Sequence, residues 1–270
     1  MSFHERQGLR YYSFDSLNEQ PLVQAIFTRR GGHSQAPWAS LNMGATVGDN
    51  SEHVQANRCK AFEVLGLDSQ VMFDVWQVHS TEVVLATRPR PSAEIHRRAD
   101  AILTDRPGLA LMMRFADCVP IVLFDPIHKA LGIVHAGWVG TVNQVAARAV
   151  EEMRQAFNTC PADLLAGIGP SIGVHHYEVG PEVAAQVRGA FGADSAGLLV
   201  PISAGRAGLP GPERVQFDLW QANRLILERS GVHQVEIAGL CTACHIDDWF
   251  SHRGEQGKTG RFGALVALKE

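Results

Sequence analysis

The sequence predicts a single α/β domain with a mixed β-sheet and flanking helices. Short apolar runs rich in Val and Ile recur along the chain, and stretches with apolar residues three or four positions apart lie between some of them. Between residues 71 and 135 several apolar runs follow one another without a helix, which disfavours a purely parallel, doubly wound sheet. A chain of 270 residues can bury the core of such a domain without disulfide bonds.

Each element is predicted from its own stretch of sequence. The apolar runs that predict strands are VMFDVWQVH (71–79), EVVLA (82–86), DAILT (100–104), LALMMRFA (109–116), VPIVLFD (119–125), ALGIVHA (130–136), LLAGIG (164–169), QVEIAG (234–239) and FGALVAL (262–268). The periodic stretches that predict helices are SEHVQANRCKAFEVLG (51–66), TVNQVAARAVEEMRQAF (141–157), GPEVAAQVRGAF (180–191) and DLWQANRLILERSG (218–231). The Gly- and Pro-rich segment 201–214 predicts a flexible loop within the domain.

Composition and charge exclude several classes of protein. The net charge of −4 and the pI near 6.3 argue against extended contact with the phosphate backbone of nucleic acid. No stretch approaches the roughly 20 apolar residues that span a bilayer, and the first 20 residues lack the apolar segment of an export signal. The 5 cysteines are scattered, which is typical of a reducing compartment. We therefore expect a cytoplasmic protein that binds neither nucleic acid nor membrane.

The segment CTACH (241–245) matches the C-x-x-C-H pattern by which c-type haem is attached. Haem attachment requires export to an oxidising compartment, for which the sequence gives no signal. Zinc is also disfavoured, because the chain has no second C-x-x-C and the nearest histidine, His245, directly follows Cys244. We expect Cys241 and Cys244 to be small packing residues at the end of a strand.

Two histidines and one cysteine are predicted to meet at strand ends. His79 closes the first predicted strand, Cys118 lies at a break between two strands, and His135 ends a strand just before a helix. Two histidines and one cysteine are a known ligand set for catalytic zinc, with the fourth position left to water. The three residues lie far apart in the sequence, so such a site can form only through the tertiary fold.

The same residues permit two other chemistries. A His₂Cys site with a weak axial methionine is the blue-copper arrangement, and Met112 and Met113 lie nearby, although the chain has no closely spaced H-x-H pair. Cys118 can alternatively act as a nucleophile with His135 as its base. An anion is expected near the start of the helix at Thr141, with the side chains of Arg29 and Arg253 as further contacts. The sequence leaves these alternatives open.

A set of ordered motifs resembles one known family. The motifs are FTRRGGHS, SLNMGATVGDN, VQANR, WQVHS, ADAILTDRPGLAL, ADCVPIVLFDP, HAGWVGT, IGPSIG, YEVGPEV, LCTACH, FSHR and KTGR. In this order they resemble the YfiH-like family, also called the laccase-domain or multicopper polyphenol oxidase family. The resemblance makes residues 1–23 an N-terminal extension and residues 24–270 the catalytic domain.

The resemblance implies a fold similar to the catalytic domain of the cytotoxic necrotizing factor toxins, a zinc site at His79, Cys118 and His135, and substrate contacts from Arg29, Asn42 and Arg253. It implies phosphorolysis of purine nucleosides, namely adenosine, inosine, guanosine and methylthioadenosine, with additional adenosine deaminase activity. The small-molecule partners are then a nucleoside and phosphate, while the oligomeric state stays open. Copper-dependent phenol oxidation and a cysteine-dependent amide hydrolase that edits cell-wall precursors are the alternatives that the resemblance offers.

Two positions depart from the family pattern. Val139 replaces the arginine of the usual HAGWRG, and Gly254 follows Arg253 where the family usually has a second arginine. Each change removes a candidate contact to phosphate. Neither change affects the three expected metal ligands.

Overall fold

The computed structural model describes residues 2–202 and 214–269. The strands in these ranges are β1 (Ser2–Arg6), β2 (Leu9–Ser13), β3 (Leu22–Phe27), β4 (Met72–Asp74), β5 (Val83–Leu85), β6 (Ala101–Thr104), β7 (Ala110–Phe115), β8 (Val119–Asp125), β9 (Ala130–Ala136), β10 (Leu165–Ile168), β11 (Glu178–Val179), β12 (Leu199–Pro201), β13 (Val215–Phe217), β14 (Gln234–Ile237) and β15 (Phe262–Leu268). The helices are α1 (Ser51–Val64), α2 (Trp138–Val142), α3 (Val145–Phe157), α4 (Pro181–Phe191), α5 (Ser195–Leu198) and α6 (Leu219–Arg229).

The strands form two mixed six-stranded sheets and one small sheet among the described residues. The first sheet has the order β1-β2-β3-β15-β7-β4, in which only the β7–β4 pair is parallel. The second has the order β14-β10-β8-β9-β6-β5, with parallel pairs at both edges. The third, β11-β13-β12, is antiparallel. The predicted α/β class with mixed pairing is confirmed, but the expected single sheet is divided between two large ones.

The two large sheets pack face to face with helices outside. Along β8, Ile121 and Leu123 point to the helical side and Val122 and Phe124 to the other sheet, as the two-residue period of a strand requires. Helices α3, α4 and α6 cover the outer face of the second sheet, and α1 packs on the outer face of the first. The chain passes from the first sheet to the second between β7 and β8, and this crossing places Cys118 at the junction of the two sheets.

Most predicted elements are present, with differences at three places. Every apolar run contains a strand, but the helix predicted over 141–157 divides into α2 and α3, because Gln144 has a left-handed backbone (φ 65°). The expected N-terminal extension, residues 1–23, contributes β1, β2 and the first residues of β3 to the first sheet. The loop predicted at 201–214 falls for the most part, at 203–213, outside the described residues. None of the described helices combines the length and apolar character needed to cross a bilayer.

Candidate metal centre

The structure brings His79, Cys118 and His135 together. One donor atom from each side chain lies within 4.8 Å of the donor atoms of the other two. The Sγ atom of Cys118 is 3.8 Å from Nε2 of His79, and the centroids of the two imidazole rings are 5.0 Å apart. One thiolate and two imidazoles suit zinc or copper, and three protein ligands leave one position for another molecule. We call these residues the three-ligand cluster.

Cys118 is held by the turn that carries the chain from one sheet to the other. The residue before it, Asp117, has a left-handed backbone with φ 83°, which turns the chain sharply into β8. The Asp117 carboxylate accepts hydrogen bonds from the Thr242 hydroxyl (2.7 Å), the Ser251 hydroxyl (2.6 Å) and the Arg253 backbone N–H (2.6 Å). These bonds from the C-terminal part of the chain fix the turn and therefore the position of the Cys118 thiol.

His79 lies in a loop and not at a strand end as predicted. Strand β4 already ends at Asp74, and His79 has a left-handed backbone with φ 59°. Oδ2 of Asp100 accepts hydrogen bonds from the backbone N–H groups of Val78 (3.2 Å) and Ser80 (2.6 Å), which flank His79, and from the Ser80 hydroxyl (2.8 Å). A buried carboxylate thus holds the loop that presents this ligand.

The same carboxylate orients the third ligand. Oδ1 of Asp100 accepts a hydrogen bond from Nδ1 of His135 (2.8 Å), and the backbone N–H of His135 donates to the Asp100 carbonyl (2.8 Å). Because Nδ1 carries this proton, Nε2 of His135 is left for the cluster, which is the usual arrangement behind a metal-binding histidine. In the sequence, the only signal for this role of Asp100 is its place at the start of the DAILT strand.

Electrostatic coupling favours the thiolate form of Cys118. Burial raises the pKa of the Cys118 thiol, but the charge and hydrogen bonds of His135 and His79 outweigh burial and bring the pKa to about 6. Burial lowers the pKa of His135, yet the Cys118 charge and the Asp100 hydrogen bond raise it to about 9. Both shifts favour a thiolate beside an imidazolium in the metal-free protein, and the thiolate is the form that binds metal.

A glycine leaves the space that the cluster occupies. Gly137 lies directly after β9, opposite Cys118. A Cβ atom on Gly137 would lie 2.9 Å from Sγ of Cys118 and 3.0 Å from Cδ2 of His79. Any side chain at position 137 would push these two ligands. Glycine is therefore needed so that the ligands can approach this position closely, and the backbone conformation, with φ −75°, does not itself require it.

A pocket of about 900 Å³ opens over the three-ligand cluster. All three ligand residues line it, and its volume lies in the range of small-molecule sites. Its other walls carry aromatic and basic side chains, among them Trp76, Trp138, Tyr177, Arg58, Arg114, Arg253 and Arg261. Trp76 is 50% exposed, which is unusual for so large an apolar residue and leaves a flat surface open to a ligand.

Two arginines of the pocket retain donors for an anion. Arg253 donates from Nη1 to the Glu178 carbonyl (3.0 Å), and its guanidinium lies 5.3 Å from the centre of the Tyr177 ring. Arg261 donates from Nη1 to the carbonyls of Thr259 (3.1 Å) and Gly260 (2.8 Å). Within residues 2–202 and 214–269 the other guanidinium nitrogens of both arginines form no hydrogen bond with the protein. They are available to phosphate or carboxylate.

The other two residues expected to contact substrate do not line this pocket. Arg29 pairs with Glu255 (2.9 Å) and lies over the Phe250 ring at 4.3 Å, beside a separate hollow. Asn42 is fully buried, and its Oδ1 accepts from the backbone N–H groups of Gly44 (2.9 Å) and Arg261 (2.8 Å). Asn42 thus shapes the wall that carries Arg261.

The helix expected to begin near Thr141 and to bind an anion begins three residues earlier, and Thr141 itself has no free N–H to offer. The helix begins at Trp138 and has five residues, and the Thr141 N–H already donates to the Gly137 carbonyl (2.8 Å). The Thr141 hydroxyl is buried and accepts a hydrogen bond from Asn223 (2.9 Å). Val139 lines a smaller hollow of about 280 Å³ that shares Cys118 with the main pocket.

The prediction for CTACH is wrong in part. Cys241 is buried, as expected of a packing residue, but Cys244 is exposed, and both thiols lie beside the imidazoles of His175 and His176. His245 is not part of this group. The two cysteines therefore have histidine partners that lie outside the CTACH segment.

Comparison with known proteins agrees with the family suggested by the motifs. The sequence model of the family described as multi-copper polyphenol oxidoreductase laccase matches residues 23–269. The purine nucleoside phosphorylase YlmD of Bacillus subtilis (strain 168) is 34% identical over 262 residues, which cover 94% of this chain and 91% of that protein. The purine nucleoside phosphorylase YfiH of Escherichia coli (strain K12) is 35% identical over 243 residues, covering 89% and 91%.

Solved structures give the same result. The hypothetical protein YfiH of Bacillus licheniformis superposes with a TM-score of 0.89 at 31% identity and covers 99% of both chains. YlmD from Geobacillus stearothermophilus has a TM-score of 0.86 at 31% identity and covers 99% of this chain and 98% of its own. The chain therefore belongs to the multi-copper polyphenol oxidoreductase laccase family.

Proposed function

We propose that the protein is a zinc-dependent purine nucleoside phosphorylase whose centre is the three-ligand cluster. The observation that carries the proposal is the pocket of about 900 Å³, which joins this cluster to aromatic and basic walls. Relatives that span nearly the whole chain are named purine nucleoside phosphorylases, which supports the same reading. The substrates would be adenosine, inosine, guanosine and methylthioadenosine.

The pocket can hold the two parts of a nucleoside in different ways. A purine base stacks favourably on an exposed aromatic ring, and Trp76 offers such a ring at the pocket wall. The ribose is polar and would lie toward the histidines and Asp117, which line the floor. The base would thus be held by its flat face, a mode that accepts adenine and hypoxanthine alike.

Phosphate would be bound by Arg253 and Arg261, which line the pocket and retain unbonded guanidinium nitrogens. An oxygen of dihydrogen phosphate forms a bond to C1′ of the ribose while the bond from C1′ to N9 of the purine breaks, and the leaving base takes the proton from the phosphate. The products are the free base and ribose 1-phosphate, or the methylthio analogue of ribose 1-phosphate when the substrate is methylthioadenosine. The two arginines would hold the nucleophile in place, which is the main contribution of such residues in phosphate chemistry.

A zinc ion held by His79, Cys118 and His135 would supply a Lewis acid at its open fourth position. Asp100 would keep His135 in the tautomer that binds metal, and Gly137 would keep the ligands free to approach. The open position also supports the second activity, deamination of adenosine by water to inosine and ammonia. In that reaction the arginines are not needed, so loss of Arg253 should affect phosphorolysis more than deamination.

The test is a product assay on the purified, zinc-loaded protein. Adenosine is supplied with and without phosphate, and chromatography measures adenine, ribose 1-phosphate and inosine. We expect adenine and ribose 1-phosphate only when phosphate is present, and loss of both in a His79→Ala variant. A His233→Ala variant changes an exposed histidine outside the pocket and serves as the matched control. Equal product from wild type and His79→Ala would contradict the proposal.

The low pKa of Cys118 supports a second candidate, a cysteine-dependent amide hydrolase. The expected similarity to the catalytic domains of the cytotoxic necrotizing factor toxins would support this second candidate. It requires activity in metal-free protein that is lost when Cys118 is alkylated, whereas the phosphorylase proposal requires activity to return with zinc. Copper-dependent phenol oxidation would instead require oxygen uptake in copper-loaded protein, so one oxygen-electrode measurement separates it from both.

A further inference from the structure

We propose a second zinc site, formed by His175, His176, Cys241 and Cys244, in which all four ligands come from the protein. We call these residues the four-ligand cluster. Their donor atoms all lie within 4.8 Å of one another. Two thiolates and two imidazoles are a ligand set of structural zinc sites. The site is separate from the three-ligand cluster and shares no residue with it.

The distances within the cluster fit a tetrahedral ion. With Zn–S bonds of about 2.3 Å and Zn–N bonds of about 2.0 Å, a sulfur and a nitrogen at two corners of a tetrahedron are roughly 3.5 Å apart. Nδ1 of His176 is 3.6 Å from Sγ of Cys241 and 3.6 Å from Sγ of Cys244. Nε2 of His175 is 3.0 Å from Sγ of Cys244. The side chains thus need only small adjustments to hold one ion between them.

The fold builds the cluster from two loops that run side by side. Strands β10 and β14 are parallel neighbours, and the chain continues beyond both in the same direction. Ser171 and Cys241 form a parallel bridge, in which Ser171 N–H donates to the Leu240 carbonyl (3.1 Å) and Thr242 N–H to the Ser171 carbonyl (3.0 Å). The backbone N–H of Gly173 donates to Sγ of Cys241 (3.2 Å), a contact that stabilises a thiolate and orients it. The loop pairing therefore fixes the cysteines beside the two histidines.

A closed site of this kind leaves no position for a substrate, so its role is structural. Its loops hold part of the pocket over the three-ligand cluster. Thr242, inside the C-x-x-C, donates its hydroxyl to Asp117, the residue before Cys118. Tyr177, which follows His176, lines the pocket beneath Arg253. Zinc at the four-ligand cluster would thus stabilise the wall of the pocket without taking part in the reaction.

The experiment is metal analysis of the full-length protein after reconstitution with Zn²⁺ and removal of free metal. Wild type is expected to retain two zinc ions per chain, Cys118→Ser one, Cys244→Ser one, and the double variant none. Cys244 and His175 are exposed, so Cys244→Ser and His175→Ala should fold, which circular dichroism checks. The matched controls are His245→Ala, in the same segment, and Cys160→Ser, another exposed thiol, and each should retain two ions.

Replacement of Zn²⁺ by Co²⁺ shows which cluster holds each bound ion. Absorption from sulfur-to-cobalt charge transfer should persist in Cys118→Ser and fall sharply in Cys244→Ser, because the four-ligand cluster contributes two of the three thiolates. One ion in wild type and none in Cys118→Ser would overturn the proposal, as would a disulfide between Cys241 and Cys244 that forms in protein kept with zinc. Metal content is read without substrate, so this result does not depend on the phosphorylase proposal.

Discussion

The two clusters of histidine and cysteine use the same side chains in different settings. The three-ligand cluster lies at the junction of two sheets, His135 is buried in β9, and the Asp100 carboxylate fixes both histidines. The four-ligand cluster lies on paired loops, and only Cys241 among its members is buried. An open, rigid site suits catalysis and a closed one suits structure. The two clusters thus differ in the number of ligands and in the rigidity around them more than in residue type, and the two proposed roles rest on these differences.

The thiols of the two clusters also differ in charge. Two imidazoles face Cys118 and outweigh its burial, so its pKa falls to about 6. Burial raises the pKa of Cys244, and the hydrogen bond and the charge of the neighbouring Cys241 raise it further. In the metal-free protein these shifts favour the thiolate form of Cys118 and disfavour that of Cys244. This difference, like the difference in ligand number, can be tested by changing one cluster at a time.

Loss of a ligand from each cluster should give the largest difference. Cys118→Ser removes a ligand of the proposed reactive centre, and phosphorolysis should fall by at least about 10³-fold, as is typical when a residue of the reacting centre is removed. Cys244→Ser should retain most activity and instead lower the midpoint of thermal unfolding. Steady-state kinetics and thermal scans of the two variants measure both effects. Equal loss of activity would show that the four-ligand cluster is also part of the reactive centre.

The next effect concerns the carboxylate behind the three-ligand cluster. Asp100→Asn replaces an acceptor oxygen with an N–H donor, so either His135 or the loop at Ser80 loses its partner. Loss of such a partner typically weakens metal binding 10- to 100-fold, and chelator competition measures it. Zinc at the four-ligand cluster should be unchanged.

A second buried carboxylate provides the control for this variant. Asp125 accepts hydrogen bonds from Nδ1 of His128 (3.0 Å) and from the N–H groups of Ile127 (2.9 Å) and His128 (3.0 Å), but His128 belongs to neither cluster. Asp125→Asn should cost similar stability and leave zinc affinity intact. Equal loss of zinc in the two variants would mean that the Asp100 effect is general destabilisation.

The sequence predicts the three-ligand cluster but not the support around it. Cys118 and His135 are predictable because short, continuous apolar runs locate β7, β8 and β9 and place both residues near the strand ends. Asp100 is not predictable in this way, because its contact with His135 depends on the register between β6 and β9. His79 lies on a loop whose left-handed backbone no periodicity describes.

For the four-ligand cluster, the sequence shows one part of the site as a motif and gives no sign of the other part. CTACH is recognisable as a motif, but the other two ligands are not, because His175 and His176 lie in another loop far from it in the sequence. The parallel pairing of β10 and β14 brings the two loops together. A short motif therefore identifies half of a site, and strand topology supplies the other half.

A methyl group added beside the three-ligand cluster should have a smaller effect on zinc affinity and activity. Gly137→Ala places a methyl group 2.9 Å from Sγ of Cys118, which should displace the ligands and lower both zinc affinity and activity by roughly 10-fold, since small misplacements are costly at reacting centres. Gly180→Ala is the matched control, because Gly180 also precedes a helix with an extended backbone (φ −81°, ψ 174°) and a Cβ there meets nothing within 4 Å. If the two variants lose equal affinity, the close contact at Gly137 does not shape the cluster.

The last effect is the pH at which each thiol reacts in metal-free protein. Iodoacetamide attacks by way of the thiolate, and peptide mass spectrometry reports the labelling of each cysteine separately. With a pKa of about 6, Cys118 is protonated at pH 5 and ionised at pH 7.5, so its labelling rate should rise about 10-fold over this interval and then level off. Labelling of Cys244 should still rise beyond pH 8.5, the pKa of an ordinary thiol. Zinc should protect both.

A change at His135 separates the cause of the low pKa from simple exposure. In His135→Gln the imidazolium is lost while burial remains, so the labelling midpoint of Cys118 should move above pH 6, and that of Cys244 should stay where it is. Burial alone raises the pKa of a thiol. If the labelling midpoint of Cys118 is the same in His135→Gln as in the wild type, then His79 or the backbone around Asp117 stabilises the thiolate instead. Identical profiles for Cys118 and Cys244 in the wild type would remove the electrostatic distinction between the two clusters.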